Sequence, residues 1–194
     1  MINAGFWENR WQNQETGWDL GGPSPVLTRY LSDQPPTKNA RILIPGCGNA
    51  WEANWLLDHG YQDITLIDIS PKACQEMQAR LGSIPGLKIV CGDFFAHSGT
   101  YDLVLEQTFF CAIDPSLRAR YIQKMSELLS AGGILAGVLF SVEFPKMGPP
   151  FGGDVLEYEE LFFNLFQPKI WEPCQFSHPK RAGNEWYMEL EKKA

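Results

Sequence analysis

No apolar run in this chain of 194 residues approaches the ~18 that a membrane-crossing helix needs, so no membrane partner is expected. Positive charge is scarce. The 16 Lys and Arg face 23 Asp and Glu, for a formal net charge of −7, and the C-terminal pair Lys192-Lys193 reads as a solvated tail. A nucleic-acid partner, which favours clustered basic residues, is therefore not expected. The acidic balance mildly favours a cationic ligand arriving by diffusion. Cysteine is sparse too: Cys47, Cys74, Cys91, Cys111 and Cys174 are odd in number, scattered, and form no Cys-x-x-Cys pair. That pattern fits reduced thiols better than a disulfide framework or a zinc site. The histidines His59, His97 and His178 stand singly, and no metal is expected. Residues 1–8 lack a basic stretch followed by an apolar core, so no secretion signal is read and the cytoplasm is the expected location.

What is present is ordinary for a globular protein, with 44% hydrophobic and 20% charged residues. The length suits one domain spanning 1–194, able to bury about 70% of its unfolded surface. Residues 1–40, broken by Gly21-Gly22-Pro23 and Pro35-Pro36, precede the first strand-like run as an N-terminal extension. Strand-like runs then follow at 41–45, 63–69, 87–91, 101–106 and 133–140, with helical patterns between them. The clearest helix is expected over 116–130, with Leu117, Tyr121, Met125, Leu128 and Leu129 at helical spacing and a stop at Ala131-Gly132-Gly133. A helix around 155–166 leads to two further runs, 168–176 and 185–191, with no helix between them. They suggest an antiparallel pair at one sheet edge. The implied fold is α/β and Rossmann-like. It has a mainly parallel seven-stranded sheet, an antiparallel C-terminal pair and helices on both faces, the layout of a class I methyltransferase.

The chemistry is concentrated in Arg41-Ile42-Leu43-Ile44-Pro45-Gly46-Cys47-Gly48 and, twenty residues after Gly48, Asp68. A strand, a glycine turn, a helix and a second strand ending in an acid form a βαβ unit for a nucleotide-like ligand. Glycine lets the ligand approach the backbone. A carboxylate accepts from two ribose hydroxyls. The third glycine of a dinucleotide site is missing, since Trp51 stands there, which compromises pyrophosphate binding. S-adenosylmethionine has no phosphate and is favoured over NAD. Cys91-Gly92-Asp93-Phe94 follows the third run, where Asp93 would accept from an adenine amino group and Phe94 would meet the base. The alternative reading is that Asp93 caps a helix and Phe94 is core. Glu106-Gln107-Thr108-Phe109 after the fourth run lacks the polar-Pro-Pro-aromatic sequence of nucleobase amino-methyltransferases; Gly148-Pro149-Pro150-Phe151 lies after the fifth run instead.

Three stretches together resemble the thiopurine S-methyltransferase family, including its thiol and halide methyltransferase branch. They are Phe6-Trp7-Glu8-Asn9-Arg10-Trp11 with Gly17-Trp18-Asp19 and Pro23-Ser24-Pro25; Ile44-Pro45-Gly46-Cys47-Gly48; and Phe109-Phe110-Cys111-Ala112-Ile113 with Pro115 and Arg118. The resemblance covers residues 6 to about 190. It implies S-adenosylmethionine as cofactor, a small-molecule methyl acceptor, and an N-terminal segment folding over the cofactor so that Trp7, Trp11 and Trp18 touch it. Cation–π attraction to a sulfonium would contribute ~0.5–2 kcal/mol. The competing reading makes the tryptophans an ordinary amphipathic core helix. The expected cofactor set is completed by Gly46, Gly48, Asp68, Ile69, Asp93, Phe94 and Glu106, the last for the methionine ammonium. Gln107, Phe109 and Phe110 are the acceptor-pocket residues, and Gln107 departs from the family's tyrosine or arginine. Glu52 stands where the family commonly has aspartate. The stretch 141–153, including Pro145, Met147, Pro149, Pro150 and Phe151, is the expected second wall. Arg118 is read as capping or pairing on the helix surface. A monomer or weak homodimer is expected. Methyl transfer to a soft nucleophile is the expected activity; O- or N-methylation and a non-catalytic binding module stand as rivals.

Overall fold

The architecture follows from two faces of apolar residues along each central strand. In β1 (Arg41–Pro45), Ile42 and Ile44 point to one side and Leu43 to the other. In β4 (Tyr101–Gln107), Leu103 and Leu105 share the side of Ile42, while Val104 joins Leu43. A sheet that is apolar on both faces must be covered on both, which the intervening helices do. The computed structural model describes residues 2–145 and 148–194.

The sheet has the order β3-β2-β1-β4-β5-β7-β6, completed by β2 (Asp63–Asp68), β3 (Leu87–Cys91), β5 (Leu129–Phe140), β6 (Phe166–Pro173) and β7 (Glu185–Lys192). Strands β1 to β5 are parallel, and β7 runs antiparallel to both β5 and β6. The helices α2 (Pro25–Asp33), α3 (Trp51–Asp58) and α4 (Pro71–Leu81) contribute Leu27, Tyr30, Ala53, Leu56, Cys74 and Met77 to one core. The opposite core is aromatic: Phe110, Tyr121 of α5 (Arg118–Leu128), and Tyr158 and Phe162 of α6 (Val155–Phe162).

Element ends differ from the sequence reading where strand pairing captures residues that a helical pattern could also use. The expected 116–130 helix stops at Leu128, because Leu129 is 1% exposed and pairs with Tyr101, opening β5. The register then shifts so that Leu103 faces Ile134, and Ala131-Gly132-Gly133 is a bulge rather than a helix stop. Likewise α6 ends at Phe162 and the chain enters β6 at Phe166, which pairs with Lys192. The last two runs do form an antiparallel pair, with β7 as the inner strand.

The strand order reverses between β1 and β4. Crevices at such reversals, outside the carboxyl ends of parallel strands, are where open α/β sheets bind ligands.

Candidate active site

A cavity of about 560 Å³ opens at that crevice, within the ~300–1,000 Å³ range of ligand pockets. Its floor is the turn after β1. Gly46 and Gly48 both have positive φ (56° and 52°), and a Cβ on Gly46 would collide with the Phe109 ring. At the end of β2, Asp68 is 8% exposed and accepts from Gly48 N–H (Oδ2, 3.0 Å) and Ser70 N–H (Oδ1, 3.0 Å). Burial pushes its carboxyl above the ordinary value, while the Ser70 and Gly48 amides pull it back. Each carboxylate oxygen keeps a lone pair for a ligand hydroxyl. Ile69, Asp93 and Phe94 also line the cavity. Asp93 accepts from Phe95 N–H at 2.8 Å and Phe94 is 4% exposed, so capping and core roles coexist with a place at the site.

The roof is the N-terminal segment. Helix α1 (Ala4–Gln12) is followed by an irregular stretch to Ser24, and Trp7, Trp11 and Trp18 line the cavity from above. Their rings meet edge to face, Trp7–Trp18 at 5.4 Å and Trp11–Trp18 at 6.0 Å. Four polar ties hold the segment down. Glu8 Oε2 accepts from Ser70 Oγ (2.7 Å) and Lys72 N–H (3.0 Å), which hold its carboxyl below the ordinary value. Asp19 accepts from Trp51 Nε1 (2.7 Å) and Asn49 Nδ2 (2.8 Å). Ser24 N–H donates to the buried Glu52 (2.8 Å), and Arg181 Nη2 donates to the Trp18 carbonyl (2.6 Å). None of these partners was legible in the sequence, because each joins residues 28 or more apart.

The far wall consists of Gln107, Thr108 and Phe109, with Phe140, Pro149, Pro150 and Arg181. Of the expected 141–153 wall, Pro149 and Pro150 line the cavity. Phe151 instead faces a smaller neighbouring hollow, and Met147 lies outside the described residues. Gln107 Oε1 is buried without a partner among the described residues.

Three expectations are corrected. Phe110 is 0% exposed and packs between Tyr121 (5.1 Å) and Tyr158 (5.3 Å), away from the cavity. Glu106 is 0% exposed and does not line the cavity; its Oε1 accepts from Phe109 N–H (2.6 Å) and Phe110 N–H (3.1 Å), and its Oε2 from the Tyr121 hydroxyl. Burial pushes its carboxyl up to about 7 against the pull of these donors. Arg118 does pair, with Glu157 at 3.5 Å, but it is buried rather than on the surface. It lies over Phe110 and Tyr158 (5.0 and 5.2 Å) and donates to the Gly152 carbonyl at 2.7 Å. The histidines lie off the cavity, with His59 stacked on Trp55 and His97 bonded to Tyr101. The cavity lining carries charge of both signs, with Arg10, Arg120 and Arg181 beside Asp19, Glu52, Asp68, Asp93 and Asp114.

S-adenosylmethionine fits this site. The two positive-φ glycines admit a ligand to the backbone, Asp68 has spare lone pairs, aromatic faces await a sulfonium, and the orphaned Gln107 oxygen awaits a donor. Fold and cavity define a class I S-adenosylmethionine-dependent methyltransferase. A solved structure of similar fold is the 1,6-didemethyltoxoflavin-N1-methyltransferase of Burkholderia thailandensis with S-adenosylhomocysteine bound. It shows a TM-score of 0.78 and 17% identity, covering 98% of this chain and 87% of that one. The sequence profile of thiopurine S-methyltransferase (TPMT) matches residues 2–190, and the chain belongs to that family. A probable thiol methyltransferase 2 of Arabidopsis thaliana is 32% identical over 84% of this chain and 74% of its own length. Thiocyanate methyltransferase 1 of the same plant is 30% identical over 95% and 83%. Among the described residues, no helix is long and apolar enough to cross a membrane.

Proposed function

We propose that this enzyme methylates a small, soft, already ionised nucleophile, with hydrosulfide or a small thiol first and halide second. Bound S-adenosylmethionine supplies an electrophilic methyl group. Gly46, Gly48, Asp68, Ile69, Asp93 and Phe94 hold its nucleoside and turn-facing parts, and Trp7, Trp11 and Trp18 close over it and exclude water. Gln107 and Phe109 flank the acceptor beside Phe140, Pro149 and Pro150. Alignment in a dry pocket then does the work, and removing hydration raises the reactivity of a soft anion.

The observation that carries this reading is the absence of an available base among the described residues lining the cavity. No histidine or lysine lines it; Asp19 and Glu52 tie down the roof, Asp114 caps a turn, and Asp68 and Asp93 face the cofactor. Burial and the nearby Asp68 push the Cys47 thiol well up, so it is no thiolate nucleophile either. Arg10 and Arg120, stacked on Phe6 and Phe95 (4.9 and 4.5 Å), favour an anionic acceptor. The names of the thiol and thiocyanate methyltransferase relatives support the same acceptor class. The five free cysteines support a cytoplasmic location, and one domain acting as a monomer or weak homodimer completes the reading.

The test is a panel of hydrosulfide, thiols, thiocyanate, halides, catechol and amines, each with S-adenosylmethionine, followed by product detection. Methylated sulfur or halide products are expected. Turnover of two thiols of different pKa should rise at two different pH values, each tracking its own acceptor. A shared midpoint, or products only from catechol or amines, overturns the reading.

A further inference from the structure

Three residues of the turn after β4 carry features that the acceptor-flanking role of Gln107 does not explain. The first is Thr108, whose φ of +63° places a β-branched residue in the left-handed region that such residues avoid. The second is Glu106, a fully buried carboxylate that gathers three donors from this turn and from α5. The third is Gln107, whose buried amide oxygen lies at the cavity without a partner. The three are consecutive except for their roles: a clasp at 106, an aimed amide at 107, a strained hinge at 108.

We propose that Glu106 is a positioning residue for methyl transfer: its carboxylate locks the left-handed turn at Thr108, and the locked turn aims Gln107 and Phe109 together into the cavity. Along a strand, neighbouring side chains alternate between faces, and β4 obeys this through Gln107. Alternation would put Thr108 on the opposite face from Gln107 and Phe109, but the left-handed turn at Thr108 ends the strand, brings Phe109 over Gly46 and leaves all three residues in the lining. A β-branched residue does not stay left-handed without outside restraint, and the bonds from Phe109 N–H and Phe110 N–H to Glu106 provide it directly after the strained residue. Tyr121 Oη, donating to the other carboxylate oxygen, anchors the clasp to α5. Behind it, a Cβ on Gly137 of β5 would strike the Glu106 backbone, so β4 and β5 sit too close there for the turn to retreat. Glu106 thus acts through its neighbours and touches no ligand.

The experiment compares the parent with E106Q, E106A, T108G and the double variant E106A/T108G. It measures S-adenosylhomocysteine affinity by calorimetry, melting temperature, and kcat on whichever acceptor the parent methylates. A glutamine oxygen can still accept from both amides, and its NH₂ can donate to the Tyr121 oxygen, so E106Q should keep affinity and kcat within about threefold of the parent. E106A should lose roughly 10–100-fold in kcat, the scale of a small misplacement, with a much smaller loss of affinity. T108G holds the left-handed turn without strain, so it should melt at the same temperature or higher, and combined with E106A it should restore most of the kcat that E106A alone loses. A side chain that mattered only for folding would not separate stability from turnover in this way. If E106Q and E106A both lose tenfold or more in affinity, the charge contacts the cofactor and the proposal fails. If the E106A/T108G double variant is as slow as E106A alone, the clasp does not act through the turn and the proposal fails. Should E106A not fold, E106Q and E106A/T108G still decide. The proposal depends on methyl transfer but not on acceptor identity, so a parent active only on amines would sink the soft-nucleophile reading and leave this test intact.

Discussion

The floor and the roof of the cavity are built by different means. The floor, together with the far wall, is made of strand ends: Asp68 and its two backbone donors, Gly46 under Phe109, and the turn after β4 held by Glu106 all rest directly on buried sheet. The roof contributes one deeply buried side chain from α1, Trp11 at 6% exposure, and is otherwise held by hydrogen bonds placed around the cavity rim. A region anchored by core packing opens only with global unfolding, whereas one anchored by rim hydrogen bonds opens at lower cost. On the function proposed above, the floor selects the cofactor and the roof is the part able to admit and release it.

The comparison is broken most directly at Asp68. Asp68→Ala removes two ligand hydrogen bonds to a charged acceptor, roughly 1.5–3 kcal/mol each, so S-adenosylhomocysteine should bind 100-fold or more weakly by calorimetry. Equal affinity in parent and variant would take Asp68 out of the site. It would also make the floor no more selective than the roof.

A second effect belongs to the floor alone. The Glu106 carboxyl ionises at about 7 in the folded protein, against an ordinary value of 4.5. An acid raised on folding favours the native state most when protonated. Its contribution is fully present below about 4.5, is lost as pH rises to about 7, and is constant beyond. Comparing urea unfolding of the parent with E106Q isolates it from the other buried acids, and the gap between the two should change by roughly 3 kcal/mol across that window. Two parallel stability curves would mean that Glu106 is solvated.

The smallest effect belongs to the roof. Asp19→Ala cuts the ties to Trp51 and Asn49. It should weaken S-adenosylhomocysteine by roughly 5–10-fold, about 1–1.4 kcal/mol, with little change in melting temperature. Hydrogen exchange over residues 4–22 should quicken in the variant and slow on adding ligand to the parent. Exchange that ligand leaves unchanged would make the tryptophans permanent core, and the contrast between floor and roof would disappear.

Much of this floor was legible before any coordinates. The βαβ unit ending at Asp68, the parallel strands and the C-terminal antiparallel pair all follow from periodicity and glycine placement within about thirty residues of one another, where chain geometry leaves few choices. The helix end at Leu128 was not legible, since Leu129 suits both a helix face and a strand, and only its partner Tyr101 settles the matter. Glu106 could not be placed either: in a strand covered on both sides, alternation does not say which face meets ligand and which meets protein. The burial of Arg118 was not legible either, since it depends on the Gly152 carbonyl 34 residues away.

By itself, then, the order of residues determined a nucleotide-type crevice with an acid at its second strand, because backbone sterics and apolar periodicity act locally. Tertiary structure alone decided that Gln107 and Phe109 face the cavity while Glu106 and Phe110 face the interior, and that Asp19 and Arg181 secure the roof. Those choices rest on burial and hydrogen-bond partners brought together from 15 to 163 residues away, and no local preference encodes such partners.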